Sequence, residues 1–186
     1  MIQKPKNMGW IEVICGSMFS GKTEELIRRL RRARIAQLPI SIYKPKIDSR
    51  YSESHIVSHN KSEMQSQIVK NAEEILTLSK NDKVVGIDEA QFFDNSLIKV
   101  CKKLASERKR VIVAGLDRDY RGLPFGPMPD IMCEADYLDK LQAICIKCGN
   151  HASFTQRTIN ASEQVLIGET DKYEARCRDC FKDPED

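Results

Sequence analysis

Apolar and polar positions alternate in blocks along this chain, and the blocks change period. "WIEVICG", from Trp10 to Gly16, is a short apolar run ending in glycine, which predicts a buried strand. "KTEELIRRLRRARIAQL" follows with helical spacing, so that Leu26, Ile27, Leu30, Ile35 and Leu38 can share one face, and Pro39 stops it. "ISIYKP" (Ile40 to Pro45) predicts a second strand. Residues 48 to 66 are polar and read as loop. "NAEEILTLSK" predicts a helix, "KVVGIDEAQFF" a strand running into a loop, "SLIKVCKKLASERK" a helix, and "RVIVAGLD" (Arg110 to Asp117) a further strand. Strands that alternate with helices in this way imply a parallel sheet covered on both sides, an α/β fold.

The texture changes after Asp117. "YRGLPFGPMP" packs three prolines and two glycines into ten residues, and strand-helix alternation does not clearly resume. From Cys145 onward, paired cysteines dominate. The boundary between the two textures is placed near residue 142.

Composition narrows the class only modestly. Hydrophobic residues make up 41% and charged residues 31% of the 186 residues, an ordinary globular balance. No apolar run approaches the ~20 residues of a membrane span. "MIQKPKNMGW" lacks an apolar signal core, so no secretion signal is expected. A net charge of +3 does not by itself point to nucleic acid. "LIRRLRRAR" reads as the solvated face of the first helix or a subunit contact, with a nucleic-acid stripe as the competing reading. His55, His59 and His151 lack metal-like spacing.

Chemistry enters at Gly16 to Thr23. "GSMFSGKT" matches the Walker A spacing, Gly-x-x-x-x-Gly-Lys-Thr, with a strand before and a helix after. Backbone N–H groups of Gly16, Ser17, Met18, Phe19, Ser20 and Gly21 can line one concavity for phosphates. Lys22 can reach the β- and γ-phosphates, and the Thr23 hydroxyl can ligate Mg²⁺. The bland alternative is a chance glycine turn, which the full motif and its context weigh against. "VVGIDEAQ" supplies Asp88 at a strand end, suited to the Mg²⁺ shell. Glu89 beside it can act as base toward an attacking hydroxyl. The ligand expected at this loop is ATP with Mg²⁺.

Seven cysteines include two Cys-x-x-Cys pairs, Cys145/Cys148 and Cys177/Cys180. Four thiolates suit one closed, structural Zn²⁺ site. The 28 residues between the pairs exceed the usual roughly 15–20, so zinc would pin both ends of a long loop. Disulfides or free thiols are the alternatives, and the missing export signal weighs against disulfides.

In this order, "GSMFSGKT", "DSRY" (Asp48 to Tyr51), "DEAQFF", "AGLDRDYRGLPFG", both cysteine pairs and "IGETDKYEARCRDC" resemble the zinc-containing thymidine kinases of cytosol and bacteria over nearly the whole chain. The resemblance implies a P-loop, RecA-like α/β domain over 1–141 and a zinc-binding domain over 142–186 that carries a lasso over the nucleoside. It implies transfer of the ATP γ-phosphate to the 5′-hydroxyl of thymidine, and of deoxyuridine. Glu89 would be the general base, and Arg50 would offset charge on the phosphoryl group. Gln91 falls in the nucleotide-binding set. Met18, Asp48, Phe92, Leu116, Tyr120, Phe125, Thr155, Ile167, Gly168 and Tyr173 match positions around the nucleoside. Glu169 departs from many relatives, which have a small residue there. The resemblance further implies a cytoplasmic homotetramer inhibited by thymidine triphosphate, with no nucleic-acid or membrane partner. The polar "TINASEQ" (Thr158 to Gln164) predicts a lasso that orders on nucleoside binding. The competing function is a zinc-bearing, nucleic-acid-dependent P-loop ATPase, because Asp-Glu-Ala-Gln also resembles a helicase motif. One P-loop domain with no room for a second motor domain argues against it.

Overall fold

The computed structural model describes residues 8–46, 55–57, 63–159 and 172–183. Asp48, Arg50, Ile167, Gly168 and Glu169 lie outside them, as does most of the expected lasso. β1 (Trp10–Gly16) leads through the glycine loop into α1 (Lys22–Ile35), and β2 (Ile40–Pro45) follows. β3 (His55–Val57) and β4 (Glu63–Gln65) pair antiparallel within the stretch read as loop. Then come β5 (Gln67–Val69), α2 (Glu73–Leu78), β6 (Val84–Ile87), a single 3₁₀ turn (Ala90–Phe92), α3 (Ser96–Ser106) and β7 (Arg110–Gly115).

Alternation does resume after the proline-rich stretch. α4 (Met128–Cys133) and β8 (Tyr137–Leu141) add another helix and strand. β8 pairs parallel with β1, Glu12 opposite Tyr137 through Gly16 opposite Leu141. The six-stranded sheet runs β5-β2-β6-β7-β1-β8 with every neighbouring pair parallel. All strand C-termini therefore share one edge, the usual place for ligands in open α/β sheets.

The two faces of the sheet are filled by residues that alternate along the strands. Ile11, Val13 and Cys15 of β1 pack with Val85, Ile87, Val111 and Val113 against Leu97, Val100, Cys101 and Leu104 of α3, Ile75 of α2, and Met128 and Ile131. Ile14 points to the other face, with Ile42, Val84, Ile112 and Ala114, and meets Leu26, Ile27, Leu30 and Ala33 of α1. Ile35 and Leu38 do not extend that face, being 82% and 42% exposed. Ile35, the last helical residue, falls about 140° around the axis from Leu30, and past the helix end Gln37 turns to φ 56°, which carries Leu38 off the stripe. Nor is the arginine-rich run wholly solvated. Arg29 donates to Glu12 (2.8 Å), Glu25 (2.7 Å) and Asp139 (2.6 Å), and Arg110 donates to the same buried Glu12 (2.7 Å).

Beyond β8 the elements become short. β9 (Ala143–Ile144) pairs antiparallel with β10 (His151–Ala152), and β11 (Phe154–Arg157) with β12 (Tyr173–Arg176). The 158–172 stretch is therefore closed at its neck by a ribbon as well as by the cysteine pairs. Thr158 N–H donates to the Lys172 carbonyl at 2.9 Å just past that ribbon. Among the described residues, no helix is long and apolar enough to cross a membrane.

Candidate active site

The glycine loop turns over the end of β8. Gly16 has φ 139°, and a Cβ there would lie 2.2 Å from the Leu141 carbonyl oxygen, so only glycine fits. Within the loop, Lys22 Nζ and Ser20 Oγ both donate to the Ser17 carbonyl, at 2.7 and 2.8 Å. Burial pulls the Lys22 ammonium below its ordinary value, opposed by the nearby Glu89 and Asp88. The loop is also tied to the C-terminal strands. Met18 N–H donates to Thr155 Oγ1 (3.0 Å), Ser17 Oγ to the Ala152 carbonyl (3.3 Å), and Phe19 packs on the small cysteine-lined core.

Asp88 and Glu89 follow β6 directly. Asp88 is buried, its N–H donates to the Tyr43 carbonyl (2.9 Å), and Thr23 Oγ1 donates to its Oδ2 (3.3 Å). Burial, then the adjacent Glu89, pushes the Asp88 carboxyl up to about 7. Two neighbouring acids beside a hydroxyl form a donor set that a divalent cation would relieve, so these residues fit the expected Mg²⁺.

Glu89 sits at φ 52°, ψ 40°, left-handed backbone that a non-glycine residue adopts at a cost. Its carboxylate is held by Gln91, whose Nε2 donates to Glu89 Oε2 while Oε1 accepts the Leu116 N–H at 3.0 Å. The amide orientation follows from chemistry, since a backbone N–H needs an acceptor and a carboxylate needs a donor. Gln91 is 2% exposed, and Gly126 (φ 51°) makes room for it, because a Cβ there would lie 2.2 Å from the Gln91 carbonyl oxygen. The Gln91 side chain thus orients Glu89 and links it to the end of β7.

Of the residues matched to the nucleoside, those described gather at this edge. Phe92 and Phe125 form an edge-to-face pair with centroids 5.5 Å apart. Leu116 is anchored by Gln91, and Thr155 by Met18. Tyr120 and Tyr173 are bridged by Arg157, whose Cζ lies 3.5 Å from the Tyr120 ring centroid and whose NH2 donates to the Tyr173 hydroxyl at 3.0 Å. Sequence reasoning missed Arg157. Its signal was the strand period, since Arg157 follows Thr155 by two residues on one face of β11. It also missed Asp119, a buried turn residue that accepts the Arg121 and Leu123 N–H groups (2.9 and 3.1 Å) and so shapes the loop presenting Tyr120.

The four paired cysteines converge, with all Sγ atoms within 4.8 Å of one another. Cys148 and Cys177 sulfurs lie 3.5 Å apart, far from the ~2.05 Å of a disulfide. Four thiolates around one zinc at ~2.3 Å would sit at about 3.8 Å spacing, so the cluster is compatible with structural zinc. Each pair sits in its own turn of the same kind, Gly149 N–H donating to the Cys145 carbonyl (2.9 Å) and Phe181 N–H to the Cys177 carbonyl (3.0 Å). Burial raises the Cys145 thiol, but backbone N–H groups of Cys177, Cys148 and Lys147 outweigh it and bring it down to about 6. Hydrogen bonds with Cys177 and Cys148 push Cys180 up to about 12. His151 is exposed on β10, outside the cluster.

A phosphate loop after β1 of a parallel sheet, with an acidic pair at the end of β6 two strands away, makes this a P-loop nucleotide-binding protein. A family model described as "Thymidine kinase" matches residues 9–181. "Thymidine kinase" of Rhodothermus sp. (strain ITI 518) is 56% identical over 96% of this chain and 84% of its own length. Those of Bacteroides fragilis and Bacteroides thetaiotaomicron are 54% identical over 97% of this chain and 91% and 90% of their own lengths. The chain belongs to the thymidine kinase family.

Proposed function

We propose that the protein transfers the γ-phosphate of ATP to the 5′-hydroxyl of thymidine, giving thymidine monophosphate and ADP. The observation that carries this reading is the Glu89 carboxylate, oriented by Gln91 beside Asp88 and Thr23, in a chain whose match to thymidine kinases spans nearly its whole length. The nucleic-acid-dependent ATPase reading is not favoured.

In this mechanism the loop N–H groups and Lys22 bind the β- and γ-phosphates. Thr23 and Asp88 would hold Mg²⁺, which when bound offsets phosphate charge. Glu89 takes the 5′-hydroxyl proton as that oxygen attacks the γ-phosphorus, while the bond from phosphorus to the ADP oxygen breaks. Arg50 would face the transferring group, and Asp48 the nucleoside. Met18, Phe92, Leu116, Tyr120, Phe125, Thr155 and Tyr173 would wall the base and sugar, with Ile167 and Gly168 closing over them. Apolar walls accept the thymine methyl, and backbone groups reading O4 and N3–H disfavour cytosine. The cysteine cluster would hold one structural zinc, with 1–141 as the ATP-binding domain and 142–186 as the zinc-binding domain that carries the nucleoside-binding lasso.

Incubation with Mg-ATP and a panel of nucleosides, repeated with single-stranded DNA, tests the reading. Thymidine monophosphate with stoichiometric ADP is expected. ATP hydrolysis stimulated by DNA without any monophosphate would sink it. The finer expectations of a homotetramer and of inhibition by thymidine triphosphate are checked by sedimentation equilibrium and by initial rates with added triphosphate.

A further inference from the structure

We propose that Arg157 is a positioning residue for the nucleoside, a guanidinium that locks Tyr120 and Tyr173 into one wall. The inference rests on the reading above that these two tyrosines border the nucleoside.

Arg157 ends β11, on the same face as Thr155 and opposite Tyr173 in the β11–β12 ribbon. It is 8% exposed, and Tyr173 is 7% exposed. A buried guanidinium persists only where groups around it replace water. Here the replacement is specific. The Cζ lies 3.5 Å from the centroid of the Tyr120 ring and 5.4 Å from that of Tyr173, both within cation–π range. NH2 donates to the Tyr173 hydroxyl at 3.0 Å. Tyr120 stands on the turn built by Asp119, far from Arg157 in sequence. Arg157 therefore fastens the neck of the 158–172 stretch, at the Thr158 to Lys172 hydrogen bond, to the loop that follows β7. It also fixes the plane of one ring and the hydroxyl of the other. Lysine cannot substitute, because a compact ammonium offers no planar face to stack while it donates sideways.

Steady-state kinetics on the full chain with zinc, varying thymidine and ATP separately, give the test. Arg157→Ala and Arg157→Lys should raise the thymidine KM by roughly 10–100-fold, the scale of a buried cation–π contact plus a charged hydrogen bond. The ATP KM and the zinc content should stay within about twofold, a split that a merely structural role would not produce. Tyr173→Phe, which keeps the ring and removes the acceptor, should raise the thymidine KM by about 3–10-fold. Adding Arg157→Lys to Tyr120→Leu should add little beyond the larger single effect, since both act through one contact. If the alanine variant does not fold, the lysine and Tyr173→Phe variants carry the test. Wild-type turnover of thymidine with an unchanged thymidine KM in Arg157→Lys would overturn the proposal. So would equal rises in both KM values. A wild-type protein inactive on thymidine would instead overturn the underlying functional reading.

Discussion

The sheet up to β8 and the ribbons after it are built from different materials. The sheet is sandwiched between two apolar layers of leucine, isoleucine and valine, with α1 on one face and α2, α3 and α4 on the other. Each such side chain contributes about 1.5–3 kcal/mol when fully buried. After Leu141 the packed cluster is Ala143, Cys145, Ala152, Ala175 and Cys177, small side chains that bury little, and Phe154 and Tyr173 are the larger buried hydrophobics among the described residues there. What orders that part is directional. It has four convergent sulfurs, a stacked Phe154–Phe181 pair with centroids 4.6 Å apart, and arginines over aromatic rings. Burial holds a region together with many redundant contacts, whereas cross-links hold it with a few that cannot be spared.

Removing metal should separate the two most sharply. Structural zinc in small sites contributes apparent free energies of ~10–16 kcal/mol. Stripping it with a strong chelator, or introducing Cys145→Ser, should raise the thymidine KM far more than the ATP KM, measured after elemental analysis has confirmed one zinc per untreated chain. Equal damage to both constants would mean that the metal supports the sheet as well.

Chemistry comes next in size. Glu89→Gln should lower kcat by roughly two to four orders of magnitude, the range for losing a positioned base, while binding of ATP and thymidine persists. Turnover within a few-fold of wild type would remove Glu89 from that role.

Leu30→Ala attacks the sheet instead. Leu30 is fully buried between α1 and the strands, and truncation there should cost ~2–5 kcal/mol of unfolding free energy in denaturant titrations. Both KM values should stay near wild type. A selective rise in the thymidine KM would show that the two regions share one cooperative unit.

The smallest effect is electrostatic. Hydrogen bonds from Arg28 and then Arg29 hold the Glu25 carboxyl below its ordinary value. A depressed folded value gives stability that is present above the unfolded carboxylate range and is lost as pH falls through the lower folded value. Acid titration of Glu25→Gln should therefore differ from wild type near neutral pH, by no more than ~1 kcal/mol for this partly exposed cluster, and converge with it only once pH has fallen past the depressed Glu25 value.

The same contrast explains what was legible in the sequence. β1, β2, β6 and β7 are central or nearly so, buried on both faces, and read as continuous apolar runs. The edge strands β5 and β8 escaped notice because most of their side chains meet water, so "QIV" and "YLDKL" carry no run. α4 is six residues with Pro129 near its start, too short to show a period. Leu38 misled because periodicity cannot see where a helix stops, and Ile35 because it sits off the buried stripe although inside the helix. In the site, the Walker loop, the acidic pair and the paired cysteines are local spacings and were visible. Asp119 acts through a turn and Arg157 through a partner distant in sequence, and the two-residue step from Thr155 is the one local mark of Arg157.

Glu89 has a consequence for anyone who evolves this enzyme. Its left-handed backbone suits glycine or asparagine better than glutamate, so the chain is held there against its own preference. A library at position 89 sorted only for thermal tolerance should fill with those two residues and lose catalysis. Sorted for growth on salvaged thymidine, it should return to glutamate. Position 89 would thus give opposite winners in the two selections, whereas a core position such as Leu30 would give the same winner in both.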